Sequence, residues 1–173
     1  MLFSMASFSQ TGGFQLRPKL RRLQDLQEDI YRQLQLLVPD DVAFFDNLCS
    51  SIRGSPLLRL QVLERHAYTT FFRLTYEFRG VGELNYAPDA HIRYYHDARL
   101  AEATSFDCAQ ACRRSSFPAF PSRQAMQKSW RENRALDRWL DYLLRQGHSV
   151  ETMKATSQPA PLAANRLAKV CVG

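Results

Sequence analysis

Two short stretches hold the side chains best equipped for chemistry. Arg65, His66 and Tyr68 stand in the first, and Tyr95, His96, Asp97, Arg99 and Glu102 in the second. Histidine exchanges a proton near neutral pH, so His96 is the candidate proton carrier, with Asp97 or Glu102 placed to set its pKa. Arg65 and Arg99 each offer a planar fork of donors that grips a carboxylate or phosphate bidentately. Together with His66, Tyr68 and Tyr95 they make a candidate ligand-binding set. A plainer reading competes with it. Polar residues at turn tips commonly meet only water, and Asp97 has the side chain to close its own turn. His96 also shares its parity with Ile92 and Tyr94, which is where a core-lining histidine would stand.

A metal centre is not expected. His91 and His96 are an odd number of residues apart and so point to opposite faces of a strand, and Cys108-x3-Cys112 lacks the second Cys/His pair that zinc requires. Nor does the chain carry a nucleophile elbow, a phosphate-binding loop or a His-Glu-x-x-His helix, and no cofactor is expected.

For the two stretches to act together, the strands between them must return them to one rim. Residues 57–64 put Leu58, Leu60 and Val62 on one face. From residue 68 to 78, Tyr68, Thr70, Phe72, Leu74, Tyr76 and Phe78 alternate with Thr69, Phe71, Arg73, Thr75 and Glu77, the period-two pattern of a half-buried strand. Residues 79–90 read as a loop on Gly80, Gly82 and Pro88, with a short strand near 83–86. Residues 91–96 and 99–106 then form a hairpin about Asp97-Ala98. Each antiparallel strand reverses direction, so the turns at 65–67 and 97–98 are predicted to share one edge, about 10 Å apart at two strand spacings.

Helices flank this sheet. Leu16, Leu20, Leu23, Leu26, Ile30, Leu34 and Leu37 form one apolar stripe that Val38-Pro39 ends. Leu136, Trp139, Leu140 and Leu143 form another, in a helix running from about Ser122 or Met126 to Gln146 with Gly147 as its C-terminal cap. On that helix Arg131, Arg134, Arg138 and Arg145 stand near Asp137 and Asp141, which predicts an intrahelical ion-pair ladder in preference to a phosphate-facing strip. Trp130 falls off the stripe. Residues 107–123 are weakly patterned, and a strand is expected near 47–52.

At 173 residues the chain fits one domain with frayed ends: a mobile leader over 1–15, a domain over 16–147 and a flexible tail over 148–173. Hydrophobic content of 45% and charged content of 23% exclude a fibre or a wholly disordered chain. The net charge of +6 permits an acidic partner without requiring one. Nucleic acid is therefore possible but not favoured. The N-terminus lacks a basic region before its apolar residues, and no run approaches the roughly 20 apolar residues that span a bilayer. With the irregular cysteines Cys49, Cys108, Cys112 and Cys171 left as thiols, a cytoplasmic protein with no membrane partner is expected.

The segments Val62-Leu63-Glu64-Arg65-His66-Ala67-Tyr68-Thr69-Thr70 and Arg93-Tyr94-Tyr95-His96-Asp97-Ala98-Arg99-Leu100-Ala101-Glu102, followed by Trp139-Leu140 and Gly147, resemble a bacterial family of domain-of-unknown-function proteins, the YqiB-like family. The resemblance runs from about residue 62 to 147, with a similar leucine-rich helix before it. It implies no established activity. Genes of that family often neighbour those for an ADP-ribose pyrophosphatase and a cyclic AMP phosphodiesterase, a hint of nucleotide signalling. A dehydrogenase label carried by some relatives finds no support here, because no Gly-x-Gly-x-x-Gly follows a strand. Where relatives place a charged cluster at the start of the last helix, this chain has Met126-Gln127-Lys128-Ser129.

The expected fold is α+β, an antiparallel sheet of four to six strands covered on one face by the N-terminal and C-terminal helices. The expected function is a binding or regulatory module engaging a protein or a small anionic ligand at the shared rim. An enzyme acting on a nucleotide or phosphate compound through His96, and nucleic-acid binding by basic helix faces, are the alternatives.

Overall fold

A computed structural model describes residues 16–79, 84–107 and 121–157. The expected leader, the Cys108/Cys112 pair, the expected loop glycines Gly80 and Gly82, and the tail beyond residue 157 lie outside the described residues. In chain order the elements are α1 (Leu16–Leu37), a 3-10 turn (Val42–Phe44), β1 (Asn47–Ser50), β2 (Leu57–Arg65), β3 (Thr69–Arg79), β4 (Leu84–Tyr95), β5 (Leu100–Asp107), α2 (Pro121–Gln146), a second 3-10 turn (Val150–Thr152) and β6 (Met153–Ala155). The strands form one open antiparallel sheet in the order β5-β4-β3-β2-β1-β6. The fold is α+β, as the alternation and the two helical stripes predict.

Period-two patterning becomes layered packing through the register. Val62 stands opposite Phe72, Phe72 opposite Ile92 and Ile92 opposite Ala103. One row along, Leu48 faces Leu60, Leu60 faces Leu74 and Leu74 faces Ala90. All of these are buried, and each large aliphatic or aromatic side chain contributes about 1.5 to 3 kcal/mol by leaving water. α1 meets this layer through Tyr31, whose ring stacks on Tyr94 at 4.7 Å, and α2 through Trp139, edge-on to Tyr76 at 5.9 Å and to Phe106 at 5.8 Å. Of the N-terminal stripe Ile30, Leu34 and Leu37 are fully buried, while Leu20 is exposed. Buried Asn133 of α2 accepts the Ala103 N–H at 3.1 Å and donates to the Ser129 carbonyl at 2.8 Å. That bond occupies part of the backbone edge that β5 would otherwise present.

The other face departs from the simple reading of polar residues as solvated. Arg59, Arg73, Thr75 and Glu77 are all buried. Arg59 pairs with Glu77, and Arg73 donates to both oxygens of Asp89, from Nε at 2.7 Å and from Nη2 at 2.8 Å. The Arg73 guanidinium also lies over the Tyr86 ring. Charged groups tolerate burial when paired and hydrogen-bonded, and these are. Pro88 does not interrupt β4: the residues at 87–88 fall at a register shift, with Thr75 opposite Asp89 and Glu77 opposite Tyr86, and the Pro88 carbonyl accepts the Thr75 hydroxyl at 2.8 Å.

Two further expectations change. Among the described residues the arginine face of α2 forms one ladder rung, Arg145 to Asp141 at 2.8 Å; Asp137 instead accepts the Gln33 amide of α1 at 2.9 Å and ties the helices together. Burial raises the Asp137 pKa above the ordinary carboxylate range. Residues 148–155, read from composition as the start of a tail, contain the second 3-10 turn and the strand that closes the β1 side of the sheet.

Gly147 delivers that segment. Its N–H bonds the Leu144 carbonyl at 3.0 Å and the His148 N–H bonds the Leu143 carbonyl at 3.1 Å, the two bonds of a Schellman cap. The glycine sits at φ +95. A Cβ there would meet only Ile52 Cδ1 at 3.8 Å, so Gly147→Ala is penalised by backbone conformation and not by collision. The expected loss is about 1 to 2 kcal/mol in urea unfolding; a neutral substitution would contradict the cap.

Candidate functional site

β3 and β4 are hydrogen-bonded neighbours, so the turn from β2 to β3 and the turn from β4 to β5 lie side by side at one end of the sheet. The His96 N–H donates to the Tyr68 carbonyl at 2.9 Å, joining the turns directly, and the His66 N–H donates to the Thr69 carbonyl at 2.9 Å within the first of them. The common edge predicted from strand reversal is present.

The side chains divide into three groups. His96 Nε2 lies 2.9 Å from the Thr70 hydroxyl, with its ring edge-on to Tyr94 at 5.0 Å. It therefore sits on the apolar side with Tyr94, and His91 on the other, where its Nδ1 meets the Ser105 hydroxyl at 3.0 Å. Glu102 accepts the Tyr95 hydroxyl at 2.8 Å and the Gln27 amide of α1 at 3.2 Å. Burial, and after it the hydrogen bond to this carboxylate, raises the Tyr95 pKa. Thus His96 and Glu102 have separate partners, and among the described residues no carboxylate forms an ion pair with His96.

Arg65 turns toward the start of β1, pairing with Asp46 and donating to the Phe45 carbonyl at 3.0 Å. His66 lies 3.3 Å from Glu64. Asp97 and Arg99 are exposed, and Arg99 occupies the left-handed region at φ 53, a conformation that costs a side chain roughly 1 to 2 kcal/mol. Tyr68 is 66% exposed at the junction. What assembles is a surface: Tyr68, His96, Asp97 and Arg99 at the junction, Arg65 and His66 to one side, Tyr95 and Glu102 to the other.

Sequence reading missed Phe44, which is 86% exposed and stands next to the Phe45 carbonyl that Arg65 bonds, at this same end of the sheet. Its position just before the strand expected near 47–52 gave no pattern that would mark it as exposed. It also missed a buried polar cluster at the opposite end of β3: His148 Nδ1 lies 2.8 Å from Ser50 Oγ, and its Nε2 lies 3.1 Å from the Tyr76 hydroxyl and 3.3 Å from Ser55 Oγ. No group of three metal-ligating side chains occurs among the described residues. No helix among them is long and apolar enough to cross a membrane.

An open six-stranded antiparallel sheet with two helices and a polar, two-turn rim defines an α+β domain. The chain belongs to the DUF1249 family of proteins of unknown function, whose model matches residues 33–149, from the C-terminal end of α1 to just past the cap of α2. No curated protein and no solved structure matches it.

Proposed function

We propose that the chain is a binding module that engages a protein partner at the rim formed by the two turns, with no chemistry of its own. The observation that carries this reading is the bond between the His96 N–H and the Tyr68 carbonyl, which holds an exposed tyrosine beside the turn that bears Arg99. Tyrosine and arginine are the residue types that dominate binding energy at protein interfaces. Exposed Phe44 adds a second aromatic at this end of the sheet, beside the Phe45 carbonyl that Arg65 bonds. A non-glycine residue kept in a left-handed turn position at such a rim supports selection for its side chain over backbone ease.

A small anionic ligand is the weaker form of the same idea, because acidic groups stand among the basic ones: Asp46 with Arg65, Glu64 with His66, and Asp97 two residues before Arg99. A proton-transfer enzyme is not favoured, since His96 is engaged by a hydroxyl. Nor is nucleic acid: Arg32 pairs with Glu28 and Asp29, and Arg145 with Asp141, so on each helix an arginine is neutralised by acids of its own helix. We further infer a cytoplasmic protein of the YqiB-like bacterial group.

Tyr68→Ala with Arg99→Ala tests the reading. Both positions are exposed, so the melting temperature is expected to hold while binding to the partner recovered with the intact chain weakens by about 2 kcal/mol or more, roughly thirtyfold. Undiminished binding by the folded double variant would remove the rim from consideration.

A further inference from the structure

The cluster around His148 joins three parts of the chain that local sequence does not connect. Ser50 closes β1, Ser55 lies in the turn before β2, Tyr76 is on β3, and Thr152 ends the 3-10 turn that leads into β6. His148 itself is 1% exposed. The proton order in this cluster follows from counting donors. The Thr152 hydroxyl donates to the Ser149 carbonyl at 2.8 Å, so it can only accept from Ser50 Oγ at 2.7 Å. Ser50 thereby uses its one proton, and the 2.8 Å contact to His148 must be an Nδ1–H donating to Ser50. Nε2 then carries the one lone pair and accepts from the Tyr76 hydroxyl at 3.1 Å, while the Ser55 hydroxyl, 3.3 Å from Nε2, donates to Tyr76 at 3.2 Å. The cluster is satisfied by a neutral imidazole of one tautomer.

A second proton on Nε2 has nothing to receive it well. Among the described residues the titratable group bonded to the ring is Tyr76, whose hydroxyl burial keeps protonated, with Tyr142 of α2 adding to that effect. Arg53, Glu151 and Lys154 on the adjoining turns and strand are exposed, and none pairs with the ring. An imidazolium would therefore be a buried charge facing hydroxyls alone. The segment it anchors is held lightly: β6 pairs with β1 over three residues, and Met153 is its buried side chain.

We propose that His148 is a pH-sensitive clasp: neutral, it fastens the Val150–Thr152 turn and β6 onto β1, and on acidification it lets them go, uncovering the backbone edge of β1 at Leu48, Cys49 and Ser50. An uncovered edge is a template for pairing with another strand, so release would change what this side of the sheet can bind. The inference is independent of the rim, which lies at the other end of β3.

The sign follows from linkage. Burial lowers the folded-state pKa of His148 below 6.5. The closed form is thus fully favoured above that value and is weakened as pH falls from it toward the folded-state pKa. While the closed ring remains neutral the loss is roughly tenfold per pH unit.

Amide hydrogen exchange of the full chain, expressed as protection relative to the unstructured rate at each pH, reads this directly. Residues 153–155 and 48–50 are expected to lose on the order of tenfold protection between pH 6.5 and 5.5 in the native chain, and none beyond the global change in His148→Gln, which has no titratable ring. Ser55→Asp, which sets a carboxylate beside Nε2, is expected to preserve protection at pH 5.5. Imidazole nitrogen resonances of the unmodified chain supply a reading that needs no variant, with His148 as the Nδ1–H tautomer titrating below 6.5. A ring that titrates at or above 6.5, or equal pH dependence in the native chain and His148→Gln, overturns the clasp.

Discussion

Asp89→Ala is expected to remove about 3 kcal/mol or more of folding stability, several times what a surface ion pair is worth. The reason lies in what the substitution leaves behind. The Arg73 side chain is 6% exposed, and Asp89 occupies two of its donors in a bidentate pair. Without the carboxylate, the guanidinium stays buried, and the Tyr86 ring is what remains among the described residues to stabilise its charge. A cation over a ring supplies about 0.5 to 2 kcal/mol, short of the desolvation cost of an uncompensated charge. The paired replacement Arg73→Met with Asp89→Leu removes both charges, keeps volume in place and is expected to recover most of the loss. Urea unfolding of the single and double variants measures the difference as a shift in midpoint at unchanged slope. If the double variant is no more stable than the single one, or if the single substitution costs under about 1 kcal/mol, the pair behaves as a solvated surface contact. Asp89 pairs with Thr75, five positions along β3 from Thr70 at the rim, roughly 17 Å by strand rise. Partner binding at temperatures where the variant is folded is therefore expected to persist.

The polar face that Asp89 belongs to was not legible in the pattern of residues, and the cause is general. Alternation says which residues share a face, but water is only one of the ways a polar side chain is satisfied. Arg73, Thr75 and Glu77 satisfy their neighbours instead, and that depends on register, which a single strand's sequence does not encode. The rim was legible for the opposite reason. Two turns separated by an even number of reversals must come to one edge whatever the detailed register, so the junction of Tyr68 with His96 follows from topology alone. Side-chain direction at that edge was not: Arg65 finds Asp46 and Glu102 finds Gln27, both supplied by segments remote in sequence. Gly147 was recognisable as a cap because its chemistry is local. The residue after it was not, because a three-residue strand such as β6 is too short to show a period and its Lys154 and Ala155 do not resemble a sheet. Pro88 misled for a related reason. Proline argues against a strand interior unless a register shift excuses it, and the shift is visible only in three dimensions.

Phe72→Ala is expected to be the most damaging single change in the core, at about 3 to 5 kcal/mol. Phe72 is fully buried and stands opposite Val62 on β2 and Ile92 on β4. Both neighbours are β-branched, with restricted rotamers, and are held by ladder bonds on strands inside the sheet, so little can collapse into the space the ring vacates. That places the expected cost in the upper half of the range. Phe72→Leu leaves a smaller void and should cost appreciably less. Among the described residues the ring packed on Phe72 is Tyr94, whose centroid is 6.3 Å away, but moving it would undo its stacking on Tyr31 of α1 at 4.7 Å and its edge contact with His96. Urea unfolding gives the cost, and the His96 resonances report whether the ring has moved. A measured loss under about 2 kcal/mol with His96 unshifted would mean that the sheet itself closes over the cavity, contrary to the rigidity that ladder bonds on both sides of β3 impose. The same loss with His96 displaced would mean that Tyr94 fills the void, so that the rim is held in place by the core beneath it.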